Sequence, residues 1–200
     1  HGGRTFVAID TAGIRKTRML ADSVEFYSQV RALETIRRAH VVIHLIDAAR
    51  EVSQVDKSIA QAILDARKPC VLAINKWDAV ENVEPDAYLP YLSERLPLLH
   101  YAPVVFVSAK TKTRIEALSK VCFDLHDQAA YRVPTPELNR VVQAASKVRG
   151  PRVGSGRSPK IYFATQVGVH PPWIVLFVTG PKLFKADFRR FLENRFRAAF

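Results

Sequence analysis

Two hundred residues, 48% of them hydrophobic, suffice for one medium domain or two small ones with packed cores. No run nears the roughly twenty apolar residues of a membrane span, and no signal-peptide pattern opens the chain. The net charge of +11 is unevenly placed: residues 1–130 hold 17 Lys/Arg against 16 Asp/Glu, and residues 131–200 hold 13 against 3. That imbalance points the last third towards an anionic partner, nucleic acid before membrane, with a merely solvated basic surface as the alternative.

The first 130 residues alternate short apolar runs with helical patterns. Phe6–Ile9 reads as a strand ending in Asp10, and Val41–Ile46 as a second, broken only by His44 and ending in Asp47. Ile59, Ala62, Ile63 and Ala66 follow at the three-and-four spacing of a helix face. Val71–Ile74 is the next strand, ending at Asn75; a short helix around Asp86–Leu96 leads to strand Val104–Val107 and Ser108. Ile115, Leu118, Cys122 and Leu125 mark an amphipathic helix. Strands apolar on both faces that alternate with helices predict a parallel sheet covered on both sides, with ligands at its carboxyl edge. Cys70 and Cys122 read as reduced thiols of a cytoplasmic protein, a bridge between them being the alternative. His40, His44, His100 and His126 show no zinc-site spacing.

Two prolines in Tyr131–Pro136 break the chain before a second, α+β domain over residues 131–200. Thr135 is placed to cap a helix with Pro136 at its first position and Leu138, Val141, Val142 and Ala145 on its buried face. A basic, glycine-bearing loop spans Gly150–Ser158. Strands Ile161–Val167 and Trp173–Thr179 are joined through Pro171-Pro172. A last helix, about Lys185–Ala199, buries Phe184, Phe188, Phe191 and Leu192, and Arg195 falls inside that apolar stripe, where it must snorkel or pair.

Each polar cluster of the first domain follows a strand. In Asn75-Lys76-Trp77-Asp78, the two oxygens of Asp78 can accept from the N1–H and the exocyclic amine of guanine. Adenine lacks that donor pair and would leave a carboxylate unsatisfied, a mismatch of roughly 1–3 kcal/mol. Asn75 can tie the loop and reach the imidazole edge, and the Lys76 stem can lie over the base plane. At Asp10-Thr11-Ala12-Gly13, Asp10 can hold Mg²⁺ through water and the Gly13 N–H can meet a terminal phosphate. At Ser108-Ala109-Lys110, the Ala109 N–H can donate to guanine O6. Any one cluster suits an ordinary turn; three in order at successive strand ends point to a GTP/GDP site.

With those motifs the chain resembles the Der (EngA) tandem GTPases. The resemblance runs through His1–Lys16, Asp22–Tyr27, Lys160–Gly168, Pro171–Val178 and Leu192–Phe200. It implies a P-loop-type, doubly wound α/β GTPase domain over residues 1–130, from switch II onward, followed by a small KH-like domain over 131–200. It further implies that Asp10, Thr11, Ala12, Gly13 and Ile14 line the phosphates and that Asn75, Lys76, Trp77 and Asp78 hold the base. Ile14 stands where Ras-like enzymes carry the glutamine that orients the attacking water. A potassium ion with phosphate-loop groups is the family's expected substitute. The implied partners are the large ribosomal subunit, its rRNA and a preceding GTPase domain.

None of the eight glycines is followed by lysine, so no Gly-x-x-x-x-Gly-Lys-Ser/Thr phosphate loop is present. The expectation is a piece lacking the phosphate loop and switch I upstream and the last KH-like strand downstream, incompetent in hydrolysis alone. Two rival readings stand beside this one. One is an RNA-binding module acting through Arg149, Arg152, Arg157, Lys160, Arg190 and Arg197 without the usual Gly-x-x-Gly. The other is an Era-like GTPase, which pairs similar domains.

Overall fold

The computed structural model describes residues 3–10, 32–151 and 159–200, which form two compact units, His1–Asp127 and Gln128–Phe200. In the first, three parallel strands run in the order β1 (Val42–Asp47), β2 (Cys70–Asn75), β3 (Val104–Phe106). β2 is central and buried up to Asn75, because its alternate side chains serve two different cores. Leu72 and Ile74 join Ala60 and Ile63 of α1 (Gln54–Asp65) and Leu92 of α2 (Pro85–Arg95) on one face. Val71 and Ala73 meet Leu118, Cys122 and Leu125 of α3 (Ile115–Ala130) on the other. Helices on both faces leave the carboxyl edge as the place for polar chemistry.

Local signals set the helix limits. Ser53 Oγ accepts the Asp56 N–H while an Asp56 carboxylate oxygen accepts the Ser53 N–H, a reciprocal box that starts α1. Pro85 occupies the first turn of α2, where its missing N–H costs nothing. Cys70 and Cys122 are both free thiols, and burial pushes the Cys70 thiol up to about 12.

The expected strand at Phe6–Ile9 is not one: residues 4–10 join no sheet among the described residues, and Phe6, Val7 and Ile9 are exposed. Apolar alternation makes a strand only where a neighbour accepts its hydrogen bonds. Here the segment is held from the side: Arg4 makes two bonds to Asp127, at 2.7 and 2.9 Å, and Phe6 meets Phe123 edge-on at 5.8 Å. The Arg4 hydrogen bonds hold the Asp127 carboxyl down at about 2. The expected two-sided burial also stops short on β1, whose Ile43 and Leu45 are exposed on the Val71/Ala73 side of the sheet.

In the second unit, α4 (Thr135–Val148) and α5 (Ala186–Ala199) cover one face of the antiparallel pair β4 (Ile161–Gly168) and β5 (Trp173–Val178). Of the expected buried face of α4, Leu138, Val142 and Ala145 are buried and Val141 is only half so. The cap differs: Pro134 occupies the N-cap position and Thr135 is already helical. The Pro134 carbonyl accepts the Glu137 and Leu138 N–H groups at 3.0 and 3.1 Å, so the turn closes one residue earlier without a side-chain cap. In α5, Phe188 and Leu192 are buried and Phe191 only half so. Arg195 resolves its place in the stripe by laying its guanidinium over the Phe191 ring, 5.3 Å from the centroid.

His44 of β1 is 3% exposed, and its Nε2 has no hydrogen-bond partner among the described residues. Burial holds its pKa below the usual imidazole range. Folding then favours the neutral ring, so its contribution is complete above about pH 6.5 and is lost as pH falls towards the lowered folded value. The urea midpoint of the 200-residue chain is expected to fall between about pH 7.5 and about pH 5.5. His44→Leu should flatten that slope; an unchanged slope in the variant would assign the effect elsewhere.

Candidate functional site

Asp47 and Asn75 end neighbouring parallel strands as register partners, so two polar side chains stand abreast at the carboxyl edge. The backbone turns sharply after Asn75, with Lys76 in the left-handed region at φ 62° and ψ 32°. For a non-glycine residue that conformation costs on the order of 1 kcal/mol and needs support from its surroundings. Three contacts supply it. Lys76 Nζ donates to an Asp47 oxygen at 2.7 Å, the Ala79 N–H to the Lys76 carbonyl at 2.9 Å, and the Trp77 N–H to the Val107 carbonyl at 3.1 Å. The second Asp47 oxygen accepts the Ala49 N–H at 3.0 Å. The Lys76 hydrogen bond holds the Asp47 carboxyl below the usual carboxylate range. The stabilisation is therefore present above that range and lost as pH falls through the lowered value.

Trp77-Asp78-Ala79 forms a single 3₁₀ turn. The Trp77 ring packs 4.4 Å from Phe106 and 5.4 Å from Tyr88, which anchors the turn and leaves Asp78 exposed. The facing loop is tied just as closely. Buried Ser108 exchanges both backbone hydrogen bonds with Thr113, at 3.2 and 3.1 Å, and its Oγ accepts the Thr111 N–H at 3.1 Å. The Ala109 N–H donates to Asn75 Oδ1 at 3.0 Å and so joins the two loops. Between them lies an open cleft of about 200 Å³ lined by Trp77, Asp78, Phe106, Val107, Ser108, Thr113 and Arg114. A flat heterocycle entering it would meet an aromatic and aliphatic floor with a carboxylate at the rim.

The structure brings Asn75, Lys76, Trp77, Asp78, Ser108 and Ala109 to one edge, with Lys110 exposed on the same loop. The Ala109 N–H, expected to meet guanine O6, donates to Asn75, and the ammonium of Lys76, whose stem is expected over the base plane, donates to Asp47. Asp10 is exposed, and Thr11, Ala12, Gly13 and Ile14 lie outside the described residues. Among the described residues no three His, Cys, Asp or Glu side chains converge as a metal site. Sequence reasoning missed Asp47, Thr113 and Arg114. Asp47 had a readable signal, an acidic residue at the end of an apolar strand, but its pairing with Lys76 depends on strand order.

Of the basic residues assigned to RNA, Arg149 bonds Asp187 at 2.7 Å and Arg197 sits 4.0 Å from Glu193. Lys160 and Arg190 are exposed, and Arg152 and Arg157 lie outside the described residues.

Residues 1–76 match the family model described as a 50S ribosome-binding GTPase. Residues 132–200 match the model of the KH-domain-like C-terminal domain of EngA bacterial GTPase enzymes. GTPase Der of Rhodopirellula baltica is 38% identical over 191 residues, 95% of this chain and 42% of that protein. GTPase Der of Geobacillus thermodenitrificans and that of Halothermothrix orenii are each 41% identical over 200 residues, 99% of this chain and 46% of theirs. The chain thus spans less than half the length of these curated relatives. The fold is a P-loop-type GTPase α/β domain followed by a KH-like domain.

Asn75→Ala removes the acceptor that joins the two loops. The Ala109 amide is expected to lose protection from hydrogen exchange, and the chain to lose about 1 kcal/mol of stability in urea. Unchanged exchange at Ala109 would show that the loop holds itself.

Proposed function

We propose that this chain, whose sequence is similar to part of the Der (EngA) GTPases, supplies the base-reading side of a GTP/GDP site in a ribosome-associated GTPase. The observation that carries this reading is the Asn75–Ala109 bond, which couples the Asn75–Asp78 turn to the Ser108 loop around the cleft. Asp78 accepts from the guanine N1–H and exocyclic amine. Asn75 faces the imidazole edge, and the Lys76 stem covers the ring while its ammonium stays on Asp47. Recognition of guanine O6 by the Ala109 N–H then requires Asn75 to share or release that donor.

On the phosphate side we assign Asp10 to Mg²⁺ through water, with Thr11, Ala12, Gly13 and Ile14 beside the γ-phosphate. Exposed Asp10 is compatible with a water-mediated role, and Mg²⁺ would take its remaining ligands from water and the phosphates. When bound, the ion neutralises charge on the phosphates. A potassium ion would be held by phosphate-loop groups, and this sequence contains none. The wider reading is action on the large ribosomal subunit, with rRNA met by residues 131–200, whose 13 Lys/Arg against 3 Asp/Glu support it. In that reading, docking to a preceding GTPase domain takes up other surfaces. No described helix is long and apolar enough to cross a membrane.

Two measurements test the proposal. Guanosine diphosphate at millimolar concentration should shift the amide resonances of Asp78 and the Ser108–Thr113 loop, adenosine diphosphate should not, and Asp78→Ala should abolish the difference. Equal responses to both nucleotides would remove the guanine assignment. With no Gly-Lys in its sequence, the 200-residue chain should release phosphate from GTP no faster than background. Robust turnover would overturn that expectation.

A further inference from the structure

The β4–β5 hairpin has two unlike faces. Ala164 and Gln166 of β4, with Ile174 and Leu176 of β5, turn towards α4 and α5. The opposite face carries Phe163 paired with Phe177, Thr165 paired with Val175, and Trp173 opposite Gly168. Phe163 and Phe177 stack with centroids 4.1 Å apart and planes within 8°, and both remain exposed. Trp173 is 64% exposed and lies across Gly168, where an added Cβ would come within 3.4 Å of the Trp173 Cβ. Tyr162, at the register shift between Ile161 and Phe163, is 65% exposed. The face is therefore apolar and lined with aromatic rings. From Trp173 to Phe177 it extends about 13 Å along the strand.

Such a face alone does not choose its occupant, but the charges around it do. Residues 161–180 contain no Asp, Glu, Lys or Arg. Exposed Lys160 stands at the start of β4, and Arg132 donates to the Gln166 carbonyl near its end at 3.3 Å. The unit's three acids each lie within 4.0 Å of an arginine, Glu137 by Arg140, Asp187 by Arg149 and Glu193 by Arg197, and against 13 Lys/Arg they leave a basic excess of ten. Rings available for stacking, flanked by cations and bare of acids, complement a polyanion whose bases are unpaired. A duplex, with its bases already stacked on one another, offers no match to them.

We infer that the outer face of the β4–β5 hairpin is a stacking surface for bases of single-stranded RNA, an assignment that rests on the RNA reading of residues 131–200 given above. Phe163, Phe177 and Trp173 each offer a ring face to a base, and Lys160 and Arg132 meet the phosphates on either side. This differs from charge-only docking because unpaired bases, and not backbone geometry alone, are required.

The test titrates the 200-residue chain with single-stranded oligouridylate, with an RNA duplex of equal length, and with phosphatidylglycerol-containing vesicles. The single strand should bind tightest and quench Trp173 emission, with the quench lost in Trp173→Leu. Phe163→Leu, Phe177→Leu and Trp173→Leu should each weaken binding by about tenfold while leaving the salt slope unchanged. Lys160→Gln should lower the magnitude of that slope by about 0.7. Circular dichroism confirms that the variants fold, and the Trp173 quench reads the contact in the unaltered chain. Salt-dependent RNA binding that all three leucine variants retain overturns the stacking face and leaves the RNA reading intact. Preference for duplex or for vesicles overturns the stacking face as well, and failure of the wild-type chain to bind any RNA overturns both.

Discussion

The hydrogen bond from the Ala109 N–H to Asn75 Oδ1, 3.0 Å long, joins two loops that leave different strands, and the Trp77 N–H bond to the Val107 carbonyl reinforces it. Each loop is already constrained: one by the Lys76–Asp47 pair and the Trp77 ring, the other by the backbone exchange between Ser108 and Thr113. The bond converts two stiff turns into one cleft. Its strength depends on β2 being central, because only a strand with β1 on one side and β3 on the other can set Asp47, Asn75 and Ser108 in a row. Burial on both faces of β2 then fixes the register, since a slip of one residue would turn Leu72 and Ile74 out of their core.

The same logic explains why the aromatic side chain of the turn points inward. A turn made only of polar residues would rely on solvent-exposed bonds, which contribute little. Trp77 instead sits against Phe106 and Tyr88, beside Tyr91, whose hydroxyl accepts the Val52 N–H at 2.9 Å just before α1. The Asn75–Ala79 turn is thus seated on the core that also positions α1 and α2. Asp78 is left exposed at the surface, at the rim of the cleft.

In the second unit the physical demand is different. A two-stranded pair needs a helical layer on at least one face to be stable, and α4 and α5 provide it through Leu138, Val142, Phe188 and Leu192. Gln166, buried on that side, satisfies itself by accepting the Val133 N–H and donating to the Tyr131 and Gly168 carbonyls. This pins the entry to the unit against β4. The other face is released from packing, and its rings stay exposed.

Periodicity and strand-end chemistry made β1, β2, β3, α1 to α5 and the Asn75–Asp78 turn legible, because those signals are local: burial on one helix face or both strand faces leaves its period in the sequence. Phe6–Ile9 shows the limit, since its apolar residues match a strand but none of the described strands pairs with it. Thr135 shows another, because which residue closes the first turn of α4 is settled by the Pro134 carbonyl, not by side-chain preference. The sequence by itself determined that the polar clusters Asn75–Asp78 and Ser108–Lys110 each follow a strand. Only the tertiary structure decided that Asp47 holds Lys76, that Ala109 bonds Asn75 and that Phe163 stacks on Phe177. Each of these joins residues distant in the chain, and such contacts depend on strand order and register, which no local pattern encodes.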